Sequence, residues 1–213
     1  MDTTLKMPSC VCFDWDNTLI DSNTGVYKAL CSVLTHYGHA PLTYDAFLAL
    51  PPYSARQLWA HLLPDHPDAT EKMKEFYPVA HETPMPGAAD LLAWLSHHGI
   101  PMAVVSNKGG DRLRRAVQLM EWDHYFFAIV GSGDAAHDKP APDLLHHALA
   151  FHSTMTAGDH VWFVGDSVLD QECARRAGCT PILVQAHQTN AVFPVFQSCH
   201  DVLRYIQNKM THA

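Results

Sequence analysis

The chain has 213 residues, 47% of them hydrophobic and 17% charged, which is enough apolar material for a sizeable core and argues against wholesale disorder. Lys plus Arg number 14 against 22 for Asp plus Glu, a formal charge of −8 that does not suit a protein whose main task is gripping nucleic-acid phosphates. No apolar run approaches the roughly 20 residues of a membrane helix, and the N-terminal stretch MDTTLKMPSCVCF has no apolar signal core, so a soluble, cytoplasmic protein is expected.

In chain order, SCVCFDWD reads as a short buried strand ending at Asp14. SNTGVYKALCSVLTHYG follows with Val26, Leu30, Val33, Leu34 and Tyr37 at helical spacing and Gly38 just past the end. Thr43 suits the cap of TYDAFLAL and Ser54 that of SARQLWAHLL, with Pro51-Pro52 between them. A fourth helix through DATEKMKEFYPVA has to end or kink at Pro78. After Pro86-Gly87 the pattern changes. AADLLAWLSHHG is helical, IPMAVVS a strand, DRLRRAVQLM a helix, FFAIV a strand and PAPDLLHHALAF a helix. HVWFVG is then a strand, VLDQECARRAG a helix stopped by Gly178, TPILV a strand and DVLRYIQNKM a closing helix. Strands alternating with helices imply an α/β protein with a doubly wound parallel sheet, formed by residues 1–20 and 85–213 and carrying a helical insert at 21–84.

The six cysteines lack the spacing of a disulfide framework, and Cys10 and Cys12, as period-two neighbours on one strand, read as small buried hydrophobes. Adjacent histidines such as His97-His98 point about 100° apart on a helix and cannot easily share an ion, and no histidine is assigned a role.

Ligands of such sheets bind beyond the carboxyl ends of the strands. There the chain places Asp14-Trp15-Asp16-Asn17-Thr18, Ser106-Asn107-Lys108 and Gly165-Asp166-Ser167, with Asp170 one turn further on and Lys139 in DKPAPD. Singly each has a structural reading: Asp166 as a helix cap, Ser106 as a strand-end residue, Lys139 as a solvated turn charge. Together, as DWDNTLIDS, VVSNKG, the Lys of DKPAPD and VGDSVLD, they resemble the haloacid dehalogenase-like superfamily of aspartate-nucleophile hydrolases, over about Cys10 to Val184. Within it the chain looks like the branch of small phosphatases that includes phosphoglycolate phosphatase and β-phosphoglucomutase. The resemblance implies strand order 5-4-1-2-3 and makes the insert a small cap domain with hinges near 19–23 and 82–86. Asn17 departs from the family's usual Gly and leaves both aspartates in place.

What the resemblance implies for chemistry is specific. Asp14 is the expected nucleophile, forming an aspartyl-phosphate, and Asp16 the acid that protonates the leaving oxygen and then deprotonates water. Oxygen ligands without Cys or His suit Mg²⁺, held by the side chains of Asp14 and Asp166 and the backbone carbonyl of Asp16, with Asp170 supporting from behind. Lys139 adds positive charge, and the Ser106 hydroxyl and the Asn107 backbone N–H donate to phosphoryl oxygens. Lys108 is either a second phosphate contact or an exposed residue, and the exposed reading is the expectation. In the insert, Arg56 either binds a substrate carboxylate or second phosphate or is a solvated helix residue; Tyr53 and Ser54 share that ambiguity, and Trp59 reads as core.

The expected activity is a Mg²⁺-dependent phosphatase acting on a small phosphorylated metabolite. A phosphomutase of the β-phosphoglucomutase type carries the same motifs and is the nearest rival. A dehalogenase is disfavoured because that branch lacks the second aspartate, and the phosphonate-cleaving branch because it has Ala where Asp16 stands. A receiver domain, phosphorylated as a switch, is shorter and needs neither Asp16 nor a helical cap.

Overall fold

The computed structural model describes residues 5–50, 55–77, 82–184 and 194–211, with the backbone alone for 55–57. Strands β1 (Cys10–Phe13), β2 (Met102–Gly109), β3 (Phe126–Ser132), β4 (Val161–Gly165), β5 (Thr180–Val184) and β6 (Val195–Phe196) form one sheet in the order β3-β2-β1-β4-β5-β6. Every pairing is parallel. The expected order 5-4-1-2-3 is present with a sixth strand added beside β5. That strand is two residues long, too short for any periodicity to announce it. β1 sits centrally, Phe13 aligned with Val104 on one side and Val164 on the other, and its residues are at most 1% exposed. Burial on both faces explains why these strands read as unbroken apolar runs rather than as alternation.

Helices α1 (Ser22–His36), α2 (Tyr44–Leu48), α3 (Ala55–Leu62) and α4 (Ala69–Phe76) fall between β1 and α5 (Ala88–His97). After these come α6 (Gly110–Leu119), α7 (Asp143–Ala150), α8 (Val168–Ala177) and α9 (Cys199–Thr211). α7 and α8 cover one face of the sheet, where Leu144, Leu145, Leu149 and Ala174 pack with Cys10, Cys12, Val105 and Phe163. Cys10 and Cys12 are therefore core residues, with Cys173 and Cys179 in the same cluster. Burial pushes the Cys173 thiol up to about 12, which keeps it unreactive. Among the described residues, no helix is long and apolar enough to cross a membrane.

The chain divides into two compact units, Met1–Asp21 with Thr83–Ala213, and Ser22–Glu82. The second has its own core of Leu30, Val33, Leu34, Trp59, Leu63 and Ala69. Thr43 caps α2, its hydroxyl accepting from Ala46 N at 3.2 Å, and α4 stops at Phe76, short of Pro78. The cap expected at Ser54 lies outside the described residues. In the first unit the outgoing and returning segments run side by side: Ile20 bridges Pro84, Asp21 N donates to Thr83 O at 2.8 Å, and Met85 N to Leu19 O at 2.8 Å.

Candidate active site

Asp14 follows the last residue of β1, and its N–H continues the ladder by donating to Val164 O at 2.8 Å. The chain then turns tightly. Leu19 N and Ile20 N both donate to Trp15 O, at 3.0 and 3.1 Å, and Asn17 N donates to Ile20 O at 2.7 Å. The turn needs a left-handed residue at its centre, and Asn17 takes φ +58°. Asparagine tolerates that region better than most side chains, so the departure from Gly is accommodated. Trp15, fully buried and edge-on to Trp122 at 5.9 Å between ring centroids, anchors the turn between the two aspartates.

At the end of β2, Ser106 is 2% exposed and its hydroxyl accepts from Lys108 N at 3.3 Å. Asn107 exchanges two hydrogen bonds with the Lys139 main chain: its Nδ2 donates to Lys139 O at 3.0 Å, and its Oδ1 accepts from Lys139 N at 2.8 Å. This clamp fixes the backbone from which the lysine reaches inward. Lys139 Nζ then donates to Asp14 Oδ1 and to Asp170 Oδ1, each at 2.6 Å, and all three side chains are almost wholly buried.

Asp170 belongs to a capping box at the start of α8, in which its Oδ2 accepts from Ser167 N at 3.0 Å and from Ser167 Oγ at 2.5 Å. The cap of α8 is thus Ser167, and Asp166 is left facing the cavity. Gly165 makes this approach feasible, because a Cβ there would overlap the Asp170 side chain.

Asp14, Asp16, Ser106, Lys108, Lys139 and Asp166 line a cavity of about 400 Å³, with Asn107 at its wall. The described residues bring together every site candidate except Arg56, whose side chain lies outside them, as do Tyr53 and Ser54. One expectation is overturned. The Lys108 side chain is only 9% exposed and its Nζ donates to Asp16 Oδ1 at 2.9 Å, so it is a cation of the site and not a solvated one. A signal for this exists in the sequence: two residues apart on a strand, Ser106 and Lys108 point to the same side. For the Asn107 side chain there is no such signal, since its partner lies 32 positions away.

Charge is poorly balanced here. Among the described residues, Asp14, Asp16, Asp166 and Asp170 meet the two cations Lys108 and Lys139, a net of −2 (four negative, two positive). Burial pushes the Asp14 carboxyl up to about 6, against the pull of Lys139. Burial, followed by the charges of Asp14 and Asp170, pushes Asp166 up to about 7. Burial opposes the charged form of Lys139, yet the two carboxylates hold its ammonium above its ordinary value. Carboxylate oxygens of Asp14, Asp166 and Asp170 lie within 4.8 Å of one another. An oxygen-only set carrying two surplus negative charges fits one hard divalent cation. Both Asp170 oxygens are engaged by Lys139 and Ser167, which makes Asp14 and Asp166 the better side-chain ligands.

A doubly wound parallel sheet with nucleophile-capable, acidic, hydroxyl and cationic groups gathered at the carboxyl ends of β1, β2 and β4 defines an α/β enzyme of the carboxylate-site class. Comparison with known proteins makes this particular. Residues 11–184 match the family described as haloacid dehalogenase-like hydrolase, and the chain belongs to that family. A relative from Caldanaerobacter subterraneus subsp. tengcongensis, PpaX, provisionally named a pyrophosphatase, is 29% identical over 83% of this chain and 81% of its own length. A phosphoglycolate phosphatase from Pseudomonas fluorescens is 30% identical over 81% of this chain and 68% of its own. Among solved structures, a HAD-superfamily hydrolase from Ehrlichia chaffeensis is 30% identical, with a TM-score of 0.67 over 97% of this chain and 100% of that one.

Proposed function

We propose that the protein is a Mg²⁺-dependent phosphatase of small phosphate monoesters that works through an aspartyl-phosphate on Asp14. The observation that carries this reading is the buried Asp14 carboxylate, lining the cavity with Oδ1 held by Lys139 at 2.6 Å. One carboxylate oxygen of Asp14 attacks phosphorus, and the other stays beside the Lys139 ammonium and would be the one that holds the metal. The bond from phosphorus to the leaving oxygen breaks as that to Asp14 forms, and Asp16 gives the leaving oxygen its proton. A water then loses a proton to Asp16 and attacks the same phosphorus, and inorganic phosphate departs with Asp14 restored.

Ser106 Oγ and the Asn107 N–H donate to phosphoryl oxygens throughout, and Lys139 offsets the charge developing on them. Asp14 and Asp166 would hold the metal with their side chains and Asp16 with its main-chain carbonyl, while Asp170 braces Lys139. When bound, Mg²⁺ would supply positive charge that offsets the negative charge of the phosphoryl group and of the Asp14 carboxylate.

The names of the phosphoglycolate phosphatases among the relatives support 2-phosphoglycolate as a substrate; a sugar phosphate is the other small monoester of this reading, which places the enzyme in the cytoplasm. On the same reading residues 21–84 are a substrate-selecting cap, and Arg56 binds a second anionic group of the substrate. The test is release of phosphate from p-nitrophenyl phosphate by the wild type and by Asp14→Asn, with and without a chelator. Loss in the variant and on chelation is expected; full activity of Asp14→Asn overturns the assignment.

A further inference from the structure

We propose that Lys108 is the positioning residue of Asp16, setting where the second aspartate presents its carboxyl group to the leaving oxygen; this rests on the phosphatase reading above. Lys108 has the freedom to avoid the site. Its four-carbon stem leaves the end of β2, where the chain is part-exposed, and an uninvolved lysine there would extend into water. Instead its side chain is 9% exposed, a placement that forfeits hydration and rotamer freedom. What this placement secures is an ammonium–carboxylate contact at 2.9 Å to Asp16 Oδ1, reaching across 92 positions of sequence.

The rest of the site already has its cation. Lys139 serves Asp14 and Asp170, and Asp16 meets a separate one. The two aspartates of the first loop are thereby held by different lysines, Asp14 by Lys139 and Asp16 by Lys108. Lys108 is itself fixed at its root by its N–H bond to Ser106 Oγ at 3.3 Å, so that the hydroxyl placed for the phosphoryl group and the cation that aims Asp16 share one strand end. Asp16 is the more exposed partner, its side chain 34% exposed, and the ion pair narrows the rotamers it samples at the cavity mouth.

The test compares kcat/KM, which reports the first chemical step, for p-nitrophenyl phosphate and phenyl phosphate. The first leaving group departs readily as its anion; the second relies on a proton from Asp16. In Lys108→Met the ratio of the two values should rise about ten-fold, part of the roughly 10²–10⁴ that general acid catalysis contributes, and Lys108→Arg should return it towards wild type. Lys108→Gln replaces the Met variant if that one does not fold, as judged by circular dichroism. An equal fall on both substrates overturns the proposal, because a residue acting through stability or phosphate binding moves both alike. Asp16→Asn separates the two levels. If it moves the ratio and Lys108→Met does not, only the positioning role fails; if it leaves the ratio unchanged, the reading of Asp16 fails and the role of Lys108 falls with it.

Discussion

Replacing Lys139 with Met keeps most of the stem and removes the ammonium that joins Asp14 Oδ1 and Asp170 Oδ1, each 2.6 Å away. Breaking a buried pair typically destabilises by about 3–5 kcal/mol, because an uncompensated charge is left inside. The ammonium also lies 5.5 Å from the centroid of the Phe163 ring, a contact worth on the order of 1 kcal/mol and independent of pH in this range. The carboxylate contribution therefore dominates, and it titrates. Asp14 already has its carboxyl raised to about 6 with the lysine present, and losing that partner raises it further. A raised carboxyl favours folding while protonated and loses that contribution as pH rises from its unfolded to its folded value, at about 1.4 kcal/mol for each pH unit between the two.

Urea unfolding of chelated protein, followed by the fluorescence of Trp15, Trp122 and Trp162 in the sheet-bearing unit, should show a loss of about 3–5 kcal/mol at pH 8. At pH 5 the loss should be smaller by at least about 1.4 kcal/mol. Mg²⁺ at pH 8 should restore part of the difference. An identical loss at both pH values would mean that Lys139 works through the packing of its stem, and the charge argument would be wrong.

Chelated wild-type protein should itself lose about 5 kcal/mol of stability between pH 4.5 and 7.5, about 2 from Asp14 and about 3 from Asp166, since these are raised to about 6 and about 7 and so favour folding only while protonated. Saturating Mg²⁺ should abolish that slope in thermal melts; a flat profile without metal would contradict the placement of the surplus charge. Asn107→Ala removes both hydrogen bonds to the Lys139 main chain and should destabilise by about 1–3 kcal/mol while lowering kcat more than it changes KM. An unchanged kcat would show that the Lys139 backbone needs no clamp. Gly165→Ala drives a methyl into Asp170 and should cost about 1–3 kcal/mol and most of the activity, measured by melts and p-nitrophenyl phosphate turnover.

Much of this is legible in the residues. The apolar runs of β1, β2, β4 and β5 are what strands buried on both faces require, and β1, β2 and β4 each lead into a polar group that marks the site edge. Asp14 and Asp166 can be placed because each directly follows a buried strand, and Ser106 because it is the first polar residue after the apolar run of β2. What the sequence conceals depends on partners remote in the chain. Lys108 reads as a surface charge since lysine usually is one; its two-residue spacing from Ser106 gives its side of the strand, while the partner that holds it there, Asp16, is 92 positions away. The Asn107 side chain likewise has no meaning until the Lys139 loop folds against it. β6 is defined by its neighbour β5 and not by its own two residues.

The adjacency of Ile20 and Pro84 has a genetic corollary. Since the departing and returning segments are already hydrogen-bonded to each other, exchanging the residues between them as a cassette should leave the carboxylates of the sheet in place. If that cassette selects the substrate, lineages sharing this catalytic sheet can acquire new appetites for metabolites by swapping it alone, and an engineer has the same two splice points to use.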